Sequence, residues 1–323
     1  MRAIQVEQTG GPEVLREVEL ADPNPGAGEL LVEVHAAGVN YIDTYQRSGL
    51  YPRQTPFTLG LEGAGAVRAV GAGVSRFDVG DRVAWSDAQG SYAELATVAA
   101  ERAVAVPNGV SYEQAAGALL QGMTAHVLVT STYPVADGEA VLVHAAAGGV
   151  GLLLTQLASA RGARVIATVS TEEKAALARA AGAAEVIRYT EVADLAAEVR
   201  AHTDGQGVAV VYDGVGASTF DASLDSLRRR GMMVLFGASS GPVPPVDPQR
   251  LNSSGSLYLT RPTLFHYVTT REELEYHAGA VLDSVADGTL DIRVGHRYQL
   301  ADARTAHEDL QARRTSGKLV LLP

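Results

Sequence analysis

Between Arg2 and about Val106 apolar residues alternate with polar ones. Ile4 and Val6, then Leu30, Val32 and Val34, fall on one side of the alternation, and turns at Gly10-Gly11-Pro12, Pro23-Asn24-Pro25-Gly26 and Gly71-Ala72-Gly73 break the runs. A period of two with glycine and proline punctuation predicts half-buried strands, so this part reads as a β-rich domain. After Pro107 the period changes. Ser111-Tyr112-Glu113-Gln114 has the S-x-x-Q form of a capping box, which predicts a helix toward Ala125 and beyond. Strands over 140–144, 164–169, 184–189, 208–213 and 232–237 then alternate with helices over 150–161, 172–181, 192–202 and 217–229. Such alternation requires right-handed crossovers and builds a parallel sheet covered on both faces, a doubly wound α/β domain.

Beyond Gly237 a loop rich in proline, glycine and serine leads to an apolar strand, Ser256 to Thr260. Helices near Arg271–Val285 and Asp302–Arg313 follow, then a closing strand, Lys318–Leu322. That last strand has no place in the parallel set and is assigned to the β-rich domain. The expected organisation is therefore 1–122, then an inserted sheet domain 123–262, then a return to the first domain over 263–323. No internal repeat and no long low-complexity linker interrupts it. The strand in "SLYLTRP" would end the parallel sheet as an exposed edge, and exposed edges invite pairing, so a homodimer joined there is expected.

In a doubly wound sheet the ligand lies beyond the carboxyl ends of the strands, where the first strand–helix turn offers helix N–H groups to a pyrophosphate. Ala146-Ala147-Gly148-Gly149-Val150-Gly151 falls at that turn. Gly148 and Gly149 allow a tight turn and close approach to phosphate, and Gly151 lets the helix lie against the strand. A NAD site usually ends the second strand on Asp or Glu, which binds the ribose hydroxyls. Here the strand reads "RVIATVSTEEK", with Ser170 at its end. Glu172 and Glu173 belong to the following helix, where Ser170 and Glu173 suggest a second capping box. Ser170, Lys174 and Tyr189 together suit a 2′-phosphate and hence NADPH; the plainer alternative makes Lys174 a solvated surface charge.

Composition narrows the function. A net charge of -11 and a pI near 5.2 disfavour nucleic acid as a partner, and the only basic run is Arg228–Arg230. Cysteine is absent, which removes disulfides, thiolate nucleophiles and thiolate-bound zinc. The eight histidines lack metal-ligand spacing, so no intrinsic metal is expected. Lysine occurs only at 174 and 318. No apolar stretch reaches the roughly 18 residues of a membrane span, and Met1–Val6 alternates like a strand rather than a signal peptide, so a cytoplasmic enzyme of small molecules is expected.

At this point the residues resemble a known family. "GEAVLVHAAAGGVGLLLTQLAS" (138–159) is similar to the signature of the zeta-crystallin-like quinone oxidoreductases, within the medium-chain dehydrogenase/reductase superfamily. So are "AAGVNYIDTYQRSGLYP" (36–52), "VGDRVAW" (79–85), "QGMTAH" (121–126), "FGASSGPV" (236–243) and "SLYLTRPTLFHYVTTREEL" (256–274), in family order over nearly the full chain. The resemblance implies a GroES-like domain enclosing a Rossmann domain, a cleft active site, and zinc-free chemistry. Zinc-dependent relatives carry Cys where this chain has Gly38-Val39-Asn40, and Gly-His-Glu where it has Gly60-Leu61-Glu62; Leu61 cannot ligate a metal. It implies Asn40, Asp43, Tyr45 and Tyr51 on the substrate side and Thr124 beside the nicotinamide. It implies Ser170, Lys174 and Tyr189 at the 2′-phosphate, Phe236 and Ser239 on a loop near the nicotinamide, and Arg313, with Arg314 beside it, reaching the cofactor.

Each of these has a plainer reading. Asn40 and Asp43 suit a turn and a helix cap. Tyr45 and Tyr51 suit half-buried packing. Glu62 suits a buried capping acid, and His126 and His144 suit structural roles. The expected activity is NADPH-dependent reduction of quinones, by one-electron or hydride transfer. An NADPH-dependent enone or alkenal reductase is the nearer alternative, and a non-catalytic NADPH-binding structural or RNA-associated protein the more distant one.

Overall fold

The alternating residues at the start of the chain do pack on one face. The computed structural model describes all 323 residues, and Ile4, Val6, Leu30, Val32 and Val34 share one buried cluster with Trp85, Leu319 and Leu321. Two compact units are distinguished, Met1–Met123 with Val268–Pro323, and Thr124–Tyr267. Against the expected limits, the second unit begins at 124 rather than 123 and ends at 267 rather than 262.

The first unit holds two sheets. The smaller orders Leu15–Glu19, Arg2–Val6 and Phe57–Thr58. The larger orders Val294–Gln299, Lys318–Leu322, Glu29–Val39, Glu62–Val70, Arg82–Trp85 and Val104–Ala105, with Leu95–Ala99 also paired to Glu29–Val39. The closing strand thus lies in the β-rich unit, antiparallel to Glu29–Val39 with Leu319 opposite Val39. That register carries Lys318 to the level of Asn40, while Gly38 pairs with Glu62 on the other side. Two elements escaped the strand pattern. Helix Tyr41–Ser48 starts at Asn40 and stops at Gly49, whose φ of +83° is the left-handed C-terminal stop that glycine adopts without strain. Strand Val294–Gln299 has no fully buried residue, so no apolar rhythm announced it.

The second unit is a six-stranded parallel sheet in the order Glu185–Arg188, Arg164–Val169, Ala140–Val143, Val208–Asp213, Leu227–Leu235, Tyr258–Thr260. The chain starts in the middle, winds outward one way and then the other, so the order reverses beside Ala140–Val143, where doubly wound sheets bind ligands. One expectation fails here. The helix expected over 217–229 covers only Phe220–Asp225, and Leu227 already pairs with Val208 in the next strand. The pairing slips before resuming at Val210 with Met232, and Arg230 takes a φ of +58°, so an irregular strand start lies where three exposed arginines resembled a helix surface. No helix is long and apolar enough to cross a membrane.

Candidate functional site

In the second unit, strand Ala140–Val143 ends in a turn at Ala145, with a φ of 49°, and helix Gly149–Ala160 begins after Gly148. A Cβ on Gly151 would lie 2.3 Å from the Ala145 carbonyl oxygen and 2.7 Å from Ala146 Cα, so glycine is required for the helix to lie this close to the strand. At Gly148 the nearest atom would be 3.2 Å away, and Gly148, Gly149 and Val150 are half-buried. The packing demand thus falls on Gly151 rather than Gly148, and the N–H groups of the first helical turn have no intrahelical acceptor.

The next strand end differs in one detail from expectation. The cap of helix Glu172–Ala180 is Thr171, which accepts from Lys174 N–H at 3.3 Å, and not Ser170. Glu173 bonds the Thr171 hydroxyl, which holds its carboxyl below the usual range. Ser170 stays at the strand end, and its carbonyl accepts from the Thr190 hydroxyl at 3.2 Å. Tyr189 N–H donates to Val169 O at 3.1 Å, extending the pairing of the two strands. Ser170, Lys174 and half-exposed Tyr189 therefore lie at one carboxyl edge. Glu172 is drawn away to Arg179 at 2.7 Å and Arg188 at 3.5 Å.

At the switch point a buried chain that sequence spacing could not reveal ties three strands and a helix. Ser223 Oγ donates to Asp213 Oδ2 at 2.8 Å, so it must accept from His144 Nε2 at 3.0 Å; His144 Nδ1 then accepts from the Thr168 hydroxyl at 2.9 Å. Burial lowers the His144 pKa, which keeps the ring neutral. Asp213 Oδ1 takes the N–H groups of Val215 and Gly216 at 2.7 and 2.9 Å, fixing the loop after its strand. That loop carries the next one: Ser239 N–H donates to Gly214 O, Ser240 N–H to Val215 O, and the Phe236 ring lies where a Cβ on Gly214 would stand, 2.9 Å away. Phe236 and Ser239 thus lie at the carboxyl edge, held by the Asp213 turn. His144 is structural, and His126 lies half-buried on helix Tyr112–Val127, which also carries half-buried Thr124.

The first unit gathers its polar residues around Asn40, which is 4% exposed. Its Nδ2 donates to Glu62 Oε2 at 2.8 Å and to Gly38 O at 3.3 Å, and its Oδ1 accepts from Lys318 Nζ at 2.8 Å and Gln121 Nε2 at 3.0 Å. The amide is saturated within the protein. Glu62 and Lys318 form a fully buried ion pair at 2.5 Å, and Glu62 Oε1 takes Leu120 N–H at 2.7 Å. Gln121 Oε1 is buried without a partner. Of this set, only Asn40 was expected as a site residue; the faint signal for Lys318 was that it is one of two lysines.

A second chain meets Asn40 from behind. Asp43 Oδ2 accepts the Asn40 N–H at 2.8 Å and the Tyr92 hydroxyl at 3.0 Å. Arg47 can only donate, so His307 Nδ1, 3.0 Å from it, accepts, and His307 Nε2 carries the proton toward the Tyr92 oxygen at 3.2 Å. Every bond in the chain points the same way and Asp43 is its terminal acceptor. Burial pushes the Asp43 carboxyl up to about 7, against the pull of Asn40 N–H, Tyr92 and Lys318. Burial, with Arg47 adjacent, lowers His307 to about 3. Asp43 and His307 are both sealed from solvent.

The half-buried side of helix Tyr41–Ser48 is aromatic, and exposed Tyr51 follows it. The Tyr45 and Tyr51 rings lie 5.3 Å apart at 60°, and Tyr41, one turn before Tyr45, lies 6.3 Å from it. Tyr41 was not anticipated, although its i, i+4 spacing to Tyr45 was readable. Near the C-terminus, Arg314 is bound twice by Asp309 Oδ1, whereas exposed Arg313 adopts a φ of 59° and lies close enough to Tyr41 to influence its hydroxyl. Arg314 is thus committed to the protein.

Comparison with known proteins fits this arrangement. Residues 26–108 match the alcohol dehydrogenase GroES-like domain family, and residues 149–282 match the zinc-binding dehydrogenase family. The donors here do not fit the zinc of that description. Leu61 is buried and apolar, cysteine is absent, the Lys318 ammonium lies against Asn40 and Glu62, and no group of three or more His, Cys, Asp or Glu is placed to hold an ion. A mycobacterial protein solved with NADPH is 56% identical with a TM-score of 0.98, covering 100% of both chains. An Escherichia coli quinone oxidoreductase solved with NADPH is 45% identical with a TM-score of 0.98, again over 100% of both. A 2-haloacrylate reductase from a Burkholderia species is 40% identical over 99% of this chain and 98% of its own. With both domain families in order and such identity along its whole length, the chain belongs to the quinone oxidoreductase family of the medium-chain dehydrogenases/reductases.

Proposed function

We propose that the chain is an NADPH-dependent quinone reductase that works without a metal. The observation that carries this reading is that Ser170, Lys174 and Tyr189 all follow the carboxyl ends of two adjacent strands, where a NAD enzyme would place an acid. A hydroxyl, an ammonium and a phenol suit a 2′-phosphate; a carboxylate would repel it. The turn at Gly148–Gly151 receives the pyrophosphate. The loop bearing Phe236 and Ser239, with Thr124, adds further cofactor contacts.

Bound NADPH supplies the reducing equivalents, and the balance is quinone plus NADPH plus one proton to hydroquinone plus NADP+. The protein binds and orients. Tyr45 and Tyr51 form an aromatic wall for a flat acceptor, with Tyr41 beside them. Asn40 and Asp43 hold the helix that carries this wall, and because both are committed inside the protein they act by positioning. The proton comes from solvent, since Asp43 and His307 are closed off from it. The enzyme works in the cytoplasm as a homodimer paired through edge strand Tyr258–Thr260; the exposed edge and Tyr258, 57% exposed, support the pairing.

The likeness to a 2-haloacrylate reductase favours a second reading, hydride delivery to a polarised C=C bond. Acceptors assayed in parallel with NADPH separate the two. Turnover of benzoquinone and a polycyclic ortho-quinone well above that of 2-chloroacrylate and an enone is expected. Turnover of only the unsaturated acids or ketones would replace the first reading with the second.

A further inference from the structure

The Lys318–Glu62 pair calls for an explanation beyond stability. A buried ion pair loses hydration on both sides, and apolar residues of similar size often serve stability as well or better. Yet the surroundings are cleared for this pair. A Cβ on Gly38 would stand 2.4 Å from Glu62 Oε2 and 2.3 Å from Ala116 O, and one on Gly117 would stand 3.1 Å from Lys318 Cγ. Four segments distant in sequence send Asn40, Glu62, Gln121 and Lys318 to one point, and that point is the start of the helix bearing Tyr41 and Tyr45. Lys318 Nζ and Gln121 Nε2 both donate to Asn40 Oδ1, while Glu62 accepts from Nδ2. A flipped amide would face donors with its nitrogen and an acceptor with its oxygen, so one orientation alone satisfies the set.

We propose that Lys318 is the resident cation of this site: its ammonium sits among the donors that a bound metal would have to use and, by holding Asn40, sets the geometry in which Tyr45 and Tyr51 meet the acceptor. Lys318 is a positioning residue. The proposal rests on the acceptor side assigned above, but not on which acceptor is reduced.

The test is chemical rescue. Lys318→Ala removes the ammonium and leaves space for a small one, so purified variant is assayed with and without propylammonium chloride, with sodium chloride at equal ionic strength as control. The variant is expected to unfold at lower temperature and to lose about ten- to a hundredfold in kcat/KM for the acceptor, with KM for NADPH unchanged. Propylammonium should raise both the unfolding temperature and the acceptor kcat/KM, and sodium neither. A folded variant with wild-type acceptor kinetics, or one whose temperature and rate both ignore propylammonium, overturns the proposal. Should Lys318→Ala not fold, the double variant Lys318→Met/Glu62→Gln keeps volume and removes both charges together. It is expected to unfold near the wild-type temperature with a raised acceptor KM; unchanged acceptor kinetics would show a purely structural pair. If the wild type reduces only unsaturated acids or ketones, the quinone reading fails, while the same rescue measured with those acceptors still decides the role of Lys318.

Discussion

Asn40 illustrates what a single residue reveals and conceals. As a sequence letter it suited both a helix cap and a substrate contact, and the structure makes it a cap whose amide is fully bonded to Glu62, Gly38, Gln121 and Lys318. Its partners lie up to 278 positions away, so no local spacing could announce them. The chain from Arg47 through His307 and Tyr92 to Asp43 was hidden for the same reason, and it has a measurable consequence. The Asp43 pKa is raised in the folded protein, so its contribution to stability is full below its ordinary 3.8 and is lost as pH rises to about 7. The His307 pKa is lowered, so its contribution is full above its ordinary 6.5 and is lost as pH falls toward about 3. The two slopes oppose each other. Asp43→Asn removes the first, so its unfolding temperature relative to wild type should climb between about pH 4 and about pH 7. Thermal unfolding across that range checks this, and a difference independent of pH would contradict it.

At the scale of elements, periodicity served where burial was one-sided and failed where it was not. The parallel strands 164–169 and 208–213 occupy the expected residues, because both are almost wholly apolar and bounded by turns. Leu227–Arg230 did not read as a strand because its arginines are exposed and its pairing with Val208 is irregular. Helix Tyr41–Ser48 was not legible beyond the capping character of Asn40 and Asp43, since its buried side holds Asp43, Thr44, Gln46 and Arg47, which carry no apolar signal. The packing role of Gly151 was legible and the corner can be dissected. Gly151→Ala forces backbone apart and should destabilise the protein by about 1–3 kcal/mol and weaken NADPH binding, whereas Gly148→Ala meets a contact of only 3.2 Å and should perturb folding much less. Thermal unfolding with and without NADPH separates them; equal effects at the two positions would refute this division of labour.

For the whole molecule, the decisive clue was the last strand. Lys318–Leu322 could not join a parallel set already complete, and its return to the β-rich unit follows from the antiparallel register with Glu29–Val39. The parallel sheet ends in an unpaired edge at Tyr258–Thr260, which presents backbone donors and acceptors and an exposed tyrosine. Light scattering should give twice the 33.7 kDa chain mass for the wild type, and Tyr258→Lys, which sets like charges against each other across a two-fold axis, should return the single-chain mass. A wild-type monomer would contradict the edge-paired dimer. Cofactor and acceptor are tested together by steady-state oxidation of NADPH and of NADH by benzoquinone, in wild type and Lys174→Ala. Quinone turnover with strong preference for NADPH is expected, and a loss of about ten- to a hundredfold in kcat/KM for NADPH alone in the variant, the size of one charge-assisted contact to phosphate. Equal use of both cofactors, or a variant indistinguishable from wild type, would contradict the NADPH-dependent reading.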